Sequence, residues 1–197
     1  MKRTLTAIIA LAASSISLAG PYDPPVQLPM GAEQVEALAR RELVTGFDKV
    51  AGVAWGAVDV AAPPSAVLAA IMDLEARVAE QGSLTGMSRY LDEPSRVGAR
   101  WVASIMGSEW VFYVVYELDA VAATVSYRLD PTQQSDLSFN QGIYQVLPQG
   151  EGSRLLFRGR MESGTKLPGW VKSWLAQDST ESQLGGLRTR AEAASAK

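Results

Sequence analysis

Neither cysteine nor histidine occurs anywhere in the 197 residues. Without cysteine no disulfide can staple the fold and no leader cysteine can carry a lipid, so apolar burial must hold the chain together. Without histidine the commonest general base, the commonest zinc ligand and every Ser-His or Cys-His nucleophile pair are gone. These two absences remove most familiar hydrolase and metalloenzyme chemistries. Positive charge is also scarce, with 18 Lys and Arg against 21 Asp and Glu. Phosphate binding needs a concentrated basic surface, so nucleic acid is not an expected partner. No cofactor or metal motif stands out either. Gly150-Glu151-Gly152 is half a dinucleotide fingerprint set between two strand-like runs, where it reads as a hairpin loop. The acid pairs Asp73/Glu75, Asp92/Glu93 and Glu117/Asp119 lack calcium-loop spacing and read as structural.

A long apolar run occurs once, at the start. Met1-Lys2-Arg3 precedes an apolar stretch from Leu5 to Leu18 that ends in the small residues Ser17 and Ala19. That is the layout of a secretory signal peptide cut after Ala19, since a cut one residue later would leave Pro21 first. The stretch is too short, and too interrupted by Ser14, Ser15 and Ser17, for a membrane span of about 20 residues. The expected organisation is therefore a signal peptide over 1–19, a Pro-rich extended arm over 20–30, an N-terminal helix over 31–46 and one domain over 47–197, in a periplasmic or secreted protein.

What remains is patterned. Val35, Leu38, Ala39 and Leu43 fall at helical spacing from about 32 to 44, and Gly46 offers a stop. From Val53 to Val60 the period changes to two, which marks a strand. Ser65, just past Pro63-Pro64, can cap a short helix carrying Val67, Leu68, Ile71 and Leu74, with a second short piece over about 75–81. Six strands are then expected at about 87–92, 99–106, 109–118, 123–129, 142–147 and 154–162, separated by Pro, Gly and Asp turns. Pro168 opens a last helix. Its Trp170 and Trp174 half and its Leu184 and Leu187 half point in opposite directions, so it must bend near Gly185-Gly186 or meet two partners.

This order of elements resembles the helix-grip fold. The run Val58-Asp59-Val60-Ala61-Ala62-Pro63-Pro64-Ser65-Ala66-Val67, then Met72-Asp73-Leu74-Glu75, resembles the opening of START-like proteins of the polyketide cyclase-type (SRPBCC) superfamily. Leu167-Pro168-Gly169-Trp170-Val171 and Leu184-Gly185-Gly186-Leu187-Arg188 resemble the closing helix of bacterial members related to coenzyme Q-binding proteins. The resemblance spans about residues 50–193. It implies an α+β fold in which a curved antiparallel sheet of about seven strands wraps around a long C-terminal helix. It also implies an apolar cavity holding lipids, sterols, quinones or polycyclic aromatics. Fold does not choose among these.

Trp110, Phe112 and Tyr116 share one face of the longest strand, whose other face is apolar too. Trp101, Tyr127, Tyr144 and Phe157 add aromatic rings to neighbouring strands, and Trp170 and Trp174 bring two indoles to the closing helix. Two readings stand: these nine residues are ordinary core, or they line the cavity. Arg89, Arg100, Arg128, Arg154, Arg158 and Arg160 recur on strands. An alternating basic row faces water, unless Arg128 or Arg158 turns inward to hold a ligand carboxylate or phosphate. The leading functional expectation is an exported carrier for a hydrophobic small molecule, with transient membrane contact and no catalytic residues. A cyclase or aromatase using the same cavity is the alternative, and an envelope interaction module with a filled core is the third reading.

Overall fold

The computed structural model of the protein describes residues 24–105, 107–163 and 169–196, without the side chains of 169–178. Helix α1 (Ala32–Ala39) begins where Gln34 Oε1 accepts the Gly31 N–H at 2.6 Å. It ends short of residue 44, because Arg41 takes a left-handed φ of 62°. Val44 instead opens strand β1 (Val44–Asp48), paired antiparallel with β2 (Val53–Val60). Over so short a run the helical and strand periods cannot be told apart. Gly46, expected as a helix stop, stands opposite Trp55 in this hairpin and leaves room for its indole, which a Cβ would strike.

After β2, helix α2 (Pro64–Met72) starts with Pro64 in its first turn, a position that needs no N–H donor. Ser65 thus lies inside the helix rather than capping it. Helix α3 (Ala76–Glu80) follows. Six strands then run as a meander: β3 (Leu84–Glu93), β4 (Arg96–Ile105), β5 (Ser108–Asp119), β6 (Thr124–Leu129), β7 (Leu137–Gln149) and β8 (Gly152–Ser163). Helix α4 (Gly169–Ser195) closes the fold. The eight strands form one antiparallel sheet in the order β1-β2-β8-β7-β6-β5-β4-β3. The strand beyond the expected seven is β1, at the edge.

The inner face of the sheet is the one that α4 covers. Helix α4 crosses β1 and β2 and also packs against α2 and α3, meeting two sets of partners without a break at Gly185-Gly186. Gly56 sets the approach, since a Cβ there would lie 2.5 Å from Leu184 Cδ1. Leu184 and Leu187 are fully buried among Val58, Val67, Ile71 and Leu155.

The outer face carries a second apolar cluster of Val26, Leu38, Val44, Trp55, Ala57, Ile143 and Leu156. The described part of the Pro-rich arm forms no helix or strand and covers part of this face. Val26 is buried, and its N–H donates to the buried Gln145 Oε1 at 2.7 Å. Prolines deny the arm ladder hydrogen bonds but do not prevent it from covering apolar surface.

Candidate functional site: an aromatic cavity under the C-terminal helix

Strand parity places one set of side chains on the inner face, and between that face, α3 and α4 lies a cavity of about 650 Å³. Trp101 on β4 stands opposite Phe112 on β5, Tyr116 on β5 opposite Tyr127 on β6, and Tyr144 on β7 opposite Phe157 on β8. Four rings make a continuous row, with centroids 5.7 Å apart from Tyr116 to Tyr127, 5.9 Å from Tyr127 to Tyr144 and 5.0 Å from Tyr144 to Phe157. These spacings suit attractive ring contacts. The row bends around paired glycines: Gly142 faces Gly159 across β7 and β8, and a Cβ on either would lie 2.5 Å from the Tyr127 hydroxyl. The β1–β2 turn, from Lys49 to Gly52, lines the cavity at its mouth, where Val50 is fully exposed.

The lining also carries polar side chains, among them Lys49, Gln81, Ser83, Asn140, Thr180 and Gln183, but the cation buried in it is Arg77. Arg77, on α3, is only 3% exposed and lines the interior, with its guanidinium carbon 5.3 Å from the Tyr116 ring centre and 5.5 Å from that of Tyr144. Its Nη2 donates to the Ile71 carbonyl at 2.8 Å. Burial disfavours its charge, but the surrounding tyrosines and Glu80 outweigh that and hold the arginine firmly protonated. Tyr144 accepts a hydrogen bond from Gln183 Nε2 of α4. Burial pushes its phenol up to about 12, and it pushes Tyr116 up as well, so both stay protonated near neutrality. At the rim, Arg160 pairs with Glu162 and lies over Phe139. Among the described residues no cluster of acidic side chains is able to hold a metal ion.

Seven of the nine aromatic residues singled out in the sequence, namely Trp101, Trp110, Phe112, Tyr116, Tyr127, Tyr144 and Phe157, line this one cavity. Trp170 and Trp174 lie on the first turns of α4, but their side chains fall outside the described residues. The two suggested polar anchors are elsewhere. Arg128 follows the inward Tyr127, so alternation turns it outward, where its Nη2 meets Glu117 Oε1 at 3.2 Å. Arg158 follows Phe157 in the same way and reaches the Gln27 carbonyl of the arm at 3.5 Å. Arg154 forms a two-pronged pair with Asp59, at 2.7 and 3.0 Å. The buried cation of the cavity is Arg77, which sequence reasoning passed over. An arginine on a five-residue helix carries the same pattern as a solvated one, so no local signal distinguishes it.

A single antiparallel sheet closed by a long C-terminal helix over an aromatic cavity defines a helix-grip protein of the START type. The chain belongs to the family described as polyketide cyclase / dehydrase and lipid transport, which its residues 56–192 match. No curated protein matches the sequence. Among solved structures it is similar to TTHA0849 from Thermus thermophilus, at 27% identity and a TM-score of 0.61, over 72% of this chain and 97% of that one. It is also similar to the Zhui aromatase/cyclase from Streptomyces sp. R1128, at 14% identity and a TM-score of 0.60, over 71% and 93%. A STAR-related lipid transfer protein from Xanthomonas axonopodis matches at 13% identity and a TM-score of 0.61, over 76% and 98%. The last two likenesses are of fold alone. The fold is one that binds hydrophobic small molecules, and it includes both a lipid-transfer protein and an aromatase/cyclase.

Proposed function

We propose that the chain is an exported carrier that holds one hydrophobic molecule in the cavity under α4 and shields it from water. The observation that carries this reading is the composition of the cavity. Among the described residues, eight aromatic side chains and about 650 Å³ of space surround one buried cation, and the carboxylate in the lining, Glu162, is held by Arg160. Both tyrosines nearest the cation are held protonated, so neither serves as a base near neutrality. A ligand burying about ten methylenes gains on the order of 8 kcal/mol before ordering costs, enough for binding without any reaction. Export and transient membrane contact during loading belong to the same proposal and rest on the amino-terminal sequence and on the exposed Val50 beside Lys49 at the mouth.

Native mass spectrometry of the protein purified from its own producer tests this reading. The expected result is a complex with one hydrophobic molecule that organic solvent releases unchanged, on a chain whose mass begins at Gly20. Conversion of the released molecule by fresh protein would replace the carrier by an enzyme, and a full-length mass in a membrane fraction would overturn export.

A further inference from the structure

The cavity holds buried hydrogen-bond donors that lack acceptors. Arg77 Nε, Trp101 Nε1 and Trp110 Nε1 are all shielded from solvent without a hydrogen-bond partner, and all three residues line the same cavity. Trp101 Nε1 adjoins the Tyr116 hydroxyl without reaching good geometry. Indole and guanidinium N–H groups only donate, so the missing complement is an acceptor. Charge points the same way. Arg77 forms no contact ion pair among the described residues, although Glu80, whose buried Oε2 has no hydrogen-bond partner, is near enough to favour its charge. Glu80 Oε1 lies 2.8 Å from Arg190 Nε, Asp73 Oδ2 lies 3.5 Å from Arg190 Nη1, and Glu162 is held by Arg160. A guanidinium withdrawn from water without a counter-ion in contact is costly, and unpaired buried donors add to that cost.

Given the carrier reading, we propose that the ligand is an acceptor-headed, anionic amphiphile, a long-chain carboxylate, which enters head first. Its carboxylate is drawn to the Arg77 guanidinium, with the indoles of Trp101 and Trp110 in the same wall. Its hydrocarbon runs past the row of rings toward the mouth at Lys49 to Gly52. This orientation places the charge at the only fully buried cation described in the interior and leaves the apolar end at the exposed rim. A neutral hydrocarbon of the same length leaves all three donors unmatched.

The test compares cis-parinaric acid with its methyl ester, two fluorescent probes that share one chain and differ in head-group charge. Both are titrated into the full protein. The wild type is expected to bind the acid at least tenfold more tightly than the ester. Arg77→Met should bring the two affinities to within about threefold of each other, and Arg77→Lys should keep part of the preference. Trp110→Phe retains the ring, removes one donor and should reduce the preference for the acid by a smaller factor. Equal wild-type affinities for the two probes would overturn the head-first carboxylate while leaving the carrier reading in place. A failure to bind either probe would overturn both. Should Arg77→Met fail to fold by circular dichroism, the wild-type ratio and the Trp110→Phe variant still decide the matter.

Discussion

Gly142 and Gly159 show how the cavity depends on atoms that are missing. Each leaves a space that the Tyr127 hydroxyl occupies, and a Cβ on Gly159 would also lie 2.8 Å from Phe157 Cζ. Gly159→Ala is therefore expected to destabilise the fold by about 1–3 kcal/mol, the range for overpacking a filled core. Tyr127→Phe in the same chain removes the 2.5 Å neighbour and should recover part of that loss in a urea-unfolding double-mutant cycle. Additive losses would mean that the ring does not sit over the glycines. In the sequence both glycines look like weak points within strands, and only the cross-strand register brings them under one tyrosine. Arg77 teaches the same lesson in reverse: its residue type suggests solvent, and the placement of α3 buries it.

Helices α3 and α4 meet through an ion pair whose two members shift toward neutrality. Burial raises the Glu80 carboxyl above its ordinary value, and burial lowers Arg190, although each attracts the other. Desolvation thus outweighs attraction, and the pair adds little stability as a pair. Removing one partner is another matter. Arg190→Met leaves Glu80 without its counter-charge and is expected to cost about 3–5 kcal/mol. Glu80→Gln leaves Arg190 beside Asp73, so it should cost less in the same urea titration. The pH dependence has a definite sign. A carboxyl whose folded pKa is raised favours folding below its unfolded value, and that contribution is lost as pH rises through the folded value. The stability of Arg190→Met should accordingly fall more steeply above pH 4 than that of the wild type. A flat profile would place Glu80 in water. The sequence shows neither the pair nor its burial, because residues 80 and 190 are brought together only by the packing of α4 on α3.

At the scale of the whole molecule, one sheet separates two apolar clusters with different tasks. The inner cluster continues into the cavity wall, while the outer cluster is sealed by α1 and the arm. Leu38 is almost wholly buried in the outer cluster and touches no part of the cavity. Leu38→Ala is expected to destabilise the protein by about 2–5 kcal/mol, read as a lower Tm, with the affinity for cis-parinaric acid unchanged. Phe157→Ala, on the cavity wall, should change probe affinity as well. A parallel loss of affinity in Leu38→Ala would mean that the two faces are coupled through the sheet. The outer cluster draws on β1, β2, β7 and β8 and takes in no residue of β5, so the apolar parity on both faces of β5 does not by itself reveal it.

The sequence by itself determined the fold class. Period-two runs, turn residues between them and a long closing helix leave few architectures open. The missing cysteines and histidines leave apolar burial to hold these residues together and remove only the chemistry that those two side chains perform. Tertiary structure alone decided the rest. Whether the aromatic rings fill a core or enclose a cavity depends on how far α4 stands from the sheet, and that is set at Gly56 by the side chains it meets across more than a hundred residues. Which arginine serves the cavity is likewise non-local. Strand alternation turns Arg128 and Arg158 outward, while a five-residue helix with no pattern of its own carries Arg77 in.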